Sequence, residues 1–215
     1  MKDLIASVVG GQIDIVGDVE IAFEDAFASG SGVLIIAGTG AIAYGRNSNG
    51  EIARAGGWGW VVSDEGSGSW IGVEATRAAL RAHDRGQDSR LLNQLITALD
   101  ATDFDDFIVR VNATPAPDFA TLFPAVLSSA EHGDQIADEV LSRAGVELAI
   151  MAGVVINRLR EDQCTVATHG GVFLSSPTVR TSFIGELHGC HQGIKFLDRE
   201  IDPARGAVQR ARRHH

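Results

Sequence analysis

The stretch 33–72 constrains the fold more than any other part of the chain. Residues 33–37 (Val-Leu-Ile-Ile-Ala) form a continuous apolar run of strand length, the pattern of a strand buried on both faces. Gly38-Thr39-Gly40 ends it. Residues 41–46 then supply a second strand, Asn47-Ser48-Asn49-Gly50 a turn with Asn-Gly chemistry, and 51–55 a third strand. The expectation is a β-hairpin whose first turn places two glycines around a hydroxyl. A second glycine-rich loop, 56–68, leads into a helix at 69–83. Most of the chain's 25 glycines fall between Gly10 and Gly72. Such crowding suits backbone brought close to a ligand, or a series of tight turns.

Around this segment, strands alternate with helices. Residues 13–18 read as a short strand ending at Asp18, and 19–27 as a helix with Asp18 available as its N-cap. The small-residue break at 28–32 is the best domain boundary, dividing the chain into units 1–30 and 31–215. From 91 to 160 the pattern is mostly helical, with a break at 112–115. Residues 134–160 form one long helix, with apolar positions recurring at three and four. That helix suits either a core or a homodimer contact. Residues 164–168 form a strand ending in His169-Gly170-Gly171. A helix at 177–187, a short strand at 194–197 and a final helix at 204–212 follow. The class is α/β.

Bulk properties remove several functions. The chain has 215 residues, 45% of them hydrophobic and 21% charged, enough to bury a core and unlike a disordered segment. Its 18 basic and 28 acidic residues give a net charge of −10. Nucleic acid is therefore excluded as a partner, because phosphate binding leans on excess Lys and Arg. Two cysteines, Cys164 and Cys190, lack metal-site or disulfide-framework spacing. No signal peptide is legible at Met1, and the longest apolar run, 146–156, contains Glu147 and is too short to span a bilayer. We expect a cytoplasmic protein without a membrane partner.

Four places carry chemistry. The Gly38-Thr39-Gly40 turn lets backbone N–H groups converge on one spot with a hydroxyl beside them, which suits a phosphate; a plain β-turn has the same sequence. Gly56-Gly57-Trp58-Gly59, followed by Asp64 and Glu65, sets a flat aromatic beside carboxylates. That suits a sugar, or equally a packed tryptophan and a helix cap. Asp18, at a strand end ahead of a helix, is either an N-cap or an acceptor for the proton of an attacking hydroxyl. Gly170-Gly171 is either a seat for a nucleotide base or an ordinary strand-to-helix turn.

Taken together, Leu34-Ile-Ile-Ala-Gly-Thr-Gly-Ala-Ile-Ala-Tyr-Gly-Arg46 and Ala55-Gly-Gly-Trp-Gly-Trp-Val-Val-Ser-Asp-Glu-Gly-Ser-Gly-Ser-Trp-Ile-Gly72 resemble the BadF/BadG-type ATPases and N-acetylglucosamine kinases. Asp18 ahead, Thr168-His-Gly-Gly-Val172 behind and Asp202-Pro-Ala-Arg-Gly-Ala207 near the end stand in family order. The resemblance implies an actin-like ATPase fold of ribonuclease-H-type domains, ATP and Mg²⁺ as cofactors, and phosphorylation of an amino sugar (N-acetylglucosamine or glucosamine) or another hexose at its 6-hydroxyl. It implies Asp18 as catalytic base, and Gly38, Thr39 and Gly40 as a phosphate loop with Thr39 also near the sugar. Gly57, Trp58 and Asp64 become sugar contacts, Gly170 and Gly171 an adenosine loop, and Gly206 and Ala207 part of the segment closing the nucleotide site. No residue of the chain is assigned to the metal.

Two departures from the family pattern are visible. A first phosphate loop of the form Asp-Gly-Gly-x-Thr is missing, so 1–30 is expected to be a remnant of the N-terminal domain and the activity weak. Ala41-Ile42 also stands where some N-acetylglucosamine kinases carry Ser-Asn. Two rival functions share the fold. One is a nucleotide- or sugar-binding remnant, or a subunit that requires a partner. The other is an activator ATPase of a CoA-ester dehydratase or reductase, which two oddly placed cysteines disfavour.

Overall fold

The computed structural model describes residues 15–213 apart from Asp88 and Asp162. Helix α1 (Asp18–Phe27) precedes a three-stranded meander, β1 (Gly32–Ala37), β2 (Ala41–Arg46) and β3 (Ile52–Gly56). Helices α2 (Gly68–Asp84), α3 (Arg90–Ala98), α4 (Phe104–Val111), α5 (Phe123–Glu131) and α6 (Gln135–Leu159) follow. The chain then forms β4 (Thr165–His169), α7 (Gly171–Ser175), α8 (Pro177–Cys190), β5 (Lys195–Phe196) and α9 (Pro203–Arg213). The expected meander, long helix and closing helix are all present. Ile13 and Asp14 of the expected first strand lie outside the described residues. Residues 15–17 have no regular structure, and Gly17, not Asp18, is the N-cap of α1.

The five strands form one sheet in the order β3-β2-β1-β4-β5. β1 is antiparallel to β2 and parallel to β4, and β4 is parallel to β5. β1 is the central strand, with all residues but Ile36 buried, as its continuous apolar run requires. Its side chains alternate between two layers. Val33, Ile35 and Ala37, with Ala41, Ala43 and Val166, face the main core formed with α2, α6 and α8. Leu34, with Ile36, Tyr44 and Ala167, faces a smaller cluster built on Ala22, Phe23 and Ala26 of α1 and on Ile201. A period-2 register makes the two layers chemically independent.

Local signals position the helices. Ser67 caps α2 by accepting from Trp70 N–H at 3.1 Å. Asp134 caps α6 through the Ile136 and Ala137 amides (3.0 and 3.1 Å) and also accepts from Leu91 N–H at the start of α3 (2.9 Å), so one carboxylate fixes two helix starts. The apolar positions of α6 are mainly core, Leu141, Leu148 and Ile156 among them, although Ile150 is exposed. Among the described residues no helix is long and apolar enough to cross a membrane.

Candidate nucleotide and sugar site

Parallel strands β1 and β4 end side by side, with Ile36 opposite His169, and each is followed at once by a glycine turn. Ligands of open α/β sheets gather outside such carboxyl ends. Gly170 has φ +104°, and a Cβ there would stand 2.3 Å from the Ala37 carbonyl oxygen. Only glycine lets β4 turn this close to the end of β1, and the consequence is that Gly170 adjoins Ala37-Gly38. Around Gly38 and Gly171 a Cβ would meet nothing within 4 Å, so both turns are open to an approaching molecule.

The carbonyls of the Gly38-Thr39-Gly40 turn are taken from behind. Gly68 N–H donates to Gly38 O at 2.7 Å and Ser69 N–H to Thr39 O at 3.2 Å, so the first turn of α2 holds the turn by its oxygens. Thr39 itself is exposed, and neither its amide nor its hydroxyl has a protein partner among the described residues. Gly38 N–H donates within the turn to Gly40 O at 2.9 Å, so all three carbonyls are occupied while the Thr39 donors are left to an anion. Gly68 and Ser69, part of a run quoted for its family likeness, gave no sign of this anchoring role in the sequence.

Asp64 lies directly behind the same turn. It is buried, has φ +64°, and its Oδ2 would be 2.8 Å from a Cβ on Gly40. Gly40 must therefore lack a side chain for the carboxylate to sit there. The other carboxylate oxygen accepts from Gly59 N–H at 3.4 Å, which ties in the second glycine loop. Gly57 N–H donates to Ala41 O at 2.8 Å, and its φ of +70° turns the chain out so that Trp58 is 66% exposed. The Arg54 guanidinium stacks on Trp58, 4.1 Å from the ring centroid. Arg54 carried no signal in the sequence, although it stands only four residues before Trp58.

Asp18 begins the helix that covers the other face of the sheet. Along α1, Glu24 pairs with Arg46 (3.8 Å), at the start of β1 in register, and Glu20 lies near enough to Tyr44 to raise its pKa, burial being the larger cause. Asp18, two residues before Glu20, lies further along α1 in the direction of the Gly38–Gly40 end. Asp18 is exposed, and its Oδ1 accepts from Val19 N–H at 2.8 Å. Gly206 is placed differently from the rest. It is buried against α1, where a Cβ would stand 2.1 Å from Ile21 O, and Ala207 beside it is exposed. The structure thus brings Gly38, Thr39, Gly40, Asp64, Gly57 and Gly170 together, and gives Gly206 a helix-packing position.

The family model for BadF/BadG/BcrA/BcrD ATPases matches residues 2–211. The chain belongs to that family. It is 33% identical to an N-acetylmuramic acid/N-acetylglucosamine kinase of Clostridium acetobutylicum, over 99% of this chain and 71% of the relative. It is 30% identical to an N-acetyl-D-glucosamine kinase of Dictyostelium discoideum, over 82% of this chain and 58% of the relative. Among solved structures, one assigned as an N-acetylglucosamine kinase of Chromobacterium violaceum superposes with a TM-score of 0.73 at 27% identity, covering 96% of this chain and 69% of that one. A glucokinase of the ROK family from Streptomyces griseus, with glucose and AMPPNP, shares the fold at a TM-score of 0.59 and 16% identity, covering 100% of this chain and 72% of that one. The architecture is that of the actin-like ATPases, as the family resemblance implied.

Proposed function

We propose that this chain binds ATP at the Gly38–Gly40 and Gly170–Gly171 turns and supports phosphoryl transfer to the 6-hydroxyl of an amino sugar. The observation carrying this is the Gly-Thr-Gly turn with its Gly38 and Thr39 carbonyls pinned by α2 and the Thr39 amide and hydroxyl left without a protein partner among the described residues. The names of the relatives supply the substrate class. Thr39 donates to a terminal phosphate. Trp58, with Asp64 behind the turn, forms the sugar side, the ring covering an apolar sugar face. Asp18 accepts the proton of the attacking hydroxyl, and α1 presents it from the opposite layer.

Mg²⁺ fits this site only as a companion of the nucleotide. Among the described residues no group of three or more His, Cys, Asp or Glu stands close enough to cage an ion. Mg²⁺ commonly relies on one or two carboxylates plus substrate phosphates, and there it would neutralise phosphate charge. Asp64 is the carboxylate nearest the turn. Gly206 and Ala207 join the nucleotide side through α9, and assembly as a homodimer would engage the exposed Ile150 flank of α6.

The test is coupled ADP release with ATP, Mg²⁺ and a panel of amino sugars and hexoses. Sugar-dependent turnover that falls ~10²–10⁴-fold in Asp18→Ala supports the reading. Nucleotide or sugar binding without turnover, in folded protein, selects the binding-only alternative. Turnover insensitive to both Asp18→Ala and Thr39→Ala would overturn the site assignment.

A further inference from the structure

The layer opposite the main core has an ionic centre. The Asp25 side chain has no exposed surface, yet it carries no apolar packing role of its own. Its carboxylate accepts from Arg205 Nε and Nη2 at 2.5 and 2.7 Å, from Arg199 Nη1 at 2.9 Å and from Asp202 N–H at 2.9 Å. Arg199 reaches further, to the carbonyls of Asp25 and Ala26. All these donors come from the short segment that enters α9. Next to Arg205, Gly206 leaves no room for a side chain between α9 and the Ile21 carbonyl.

Such a contact does more than hold two helices together. Apolar packing tolerates small rotations and slides, whereas a bidentate guanidinium fork has one register and one azimuth. Asp18 and Asp25 are seven residues apart on α1 (two turns, within about 20° of the same stripe, roughly 10 Å along the axis). Any rotation of α1 at Asp25 therefore moves Asp18 by the same angle.

We propose that Asp25 is a positioning residue. By gathering Arg205, Arg199 and the Asp202 amide, it sets the height and rotation of Asp18 from α9, and so couples the nucleotide-side helix to the proton acceptor. This rests on the kinase reading above.

The test uses the full chain and the variants Arg205→Lys, which keeps the charge but loses the fork, and Asp25→Asn, each shown folded by circular dichroism. Two measurements are made. The first is amide exchange of α1 with and without ATP and Mg²⁺, which needs no turnover. Nucleotide should slow α1 exchange in the native chain and should do so far less in either variant. The second is steady-state kinetics, where kcat should fall by up to ~10²-fold while sugar KM stays within a few-fold. Combined with Asp18→Ala, Arg205→Lys should cost nothing further. Variants that keep nucleotide-dependent protection of α1, or folded variants with native kcat, overturn the proposal. So does a loss of equal size in the Asp18→Ala background, which marks a merely structural role. Failure of the native chain to bind nucleotide at all would instead sink the kinase reading, and this proposal with it.

Discussion

The two faces of the sheet are closed by different chemistry. On one, Val33, Ile35, Ala43 and Val166 meet α2, α6 and α8 in a continuous apolar core in which Phe183, Leu148 and Ile156 are fully buried. On the other, a small apolar cluster around Phe23 and Leu34 joins α1 to the sheet, and α1 is held by charge to its surroundings: Asp25 to Arg205 of α9 and to Arg199 before it, Glu24 to Arg213 of α9 and to Arg46 of β2. Stability is the business of the first face. The second has fewer contacts to lose and more geometry to specify, as befits the layer that carries a candidate proton acceptor.

The contrast can be broken first on the apolar side. Phe183→Ala removes a fully buried ring that stacks edge-on against Phe173 and Phe196, and should cost about 3–5 kcal/mol in chemical denaturation. Asp25→Ala comes next. It leaves two guanidinium groups and the Asp202 amide without their acceptor, and about 3 kcal/mol is expected, at the low end for a broken buried pair because both arginines are partly exposed. If Asp25→Ala cost as little as a surface pair, the second face would be apolar in all but appearance. Gly206→Ala forces a methyl against the Ile21 carbonyl and should cost about 1–3 kcal/mol, with accelerated amide exchange confined to α1 and α9.

Acid sharpens the comparison without mutation. Arg205 above all, with the Asp202 amide and Arg199, holds the Asp25 carboxyl well below the usual carboxylate range despite its burial. A depressed folded-state pKa gives stability that is complete above the unfolded value, near 3.9, and lost as pH falls from there toward the folded value. Exchange of α1 and α9 should therefore quicken below about pH 4 in the native chain, and Asp25→Asn should flatten that dependence. The smallest effect belongs to neither face. Arg110→Ala breaks an exposed helical pair with Asp106 and a bond to the Leu99 carbonyl, and should leave the denaturation midpoint almost unmoved.

How much of this was legible depended on sequence distance. The meander, its Gly-Thr-Gly turn and the long helix were readable because strand alternation, Asn-Gly chemistry and a helical period are written within a few residues. The placement of Gly170 beside Ala37 was not, since it requires β1 and β4 to pair across the whole helical region. Asp25 gave no signal either. In Phe-Glu-Asp-Ala-Phe it looks like a solvated helix position, and only the distant Arg199 and Arg205 turn it inward. Asp18 was expected to cap α1, but Gly17 takes that place and Asp18 begins the helix. The local pattern located the helix end without settling which residue closes it.

The partners in the second layer stand 180 positions apart, Asp25 near one end of the described chain and Arg205 near the other. During synthesis α1 emerges ahead of the sheet it packs on. The fork on Asp25 cannot form until Arg205 has left the ribosome, after Phe183 and Ile194 have joined the apolar face. A chain interrupted before residue 205 would hold its apolar core yet lack the guanidinium fork on Asp25, so of the two layers the charged one is the later to have its geometry specified.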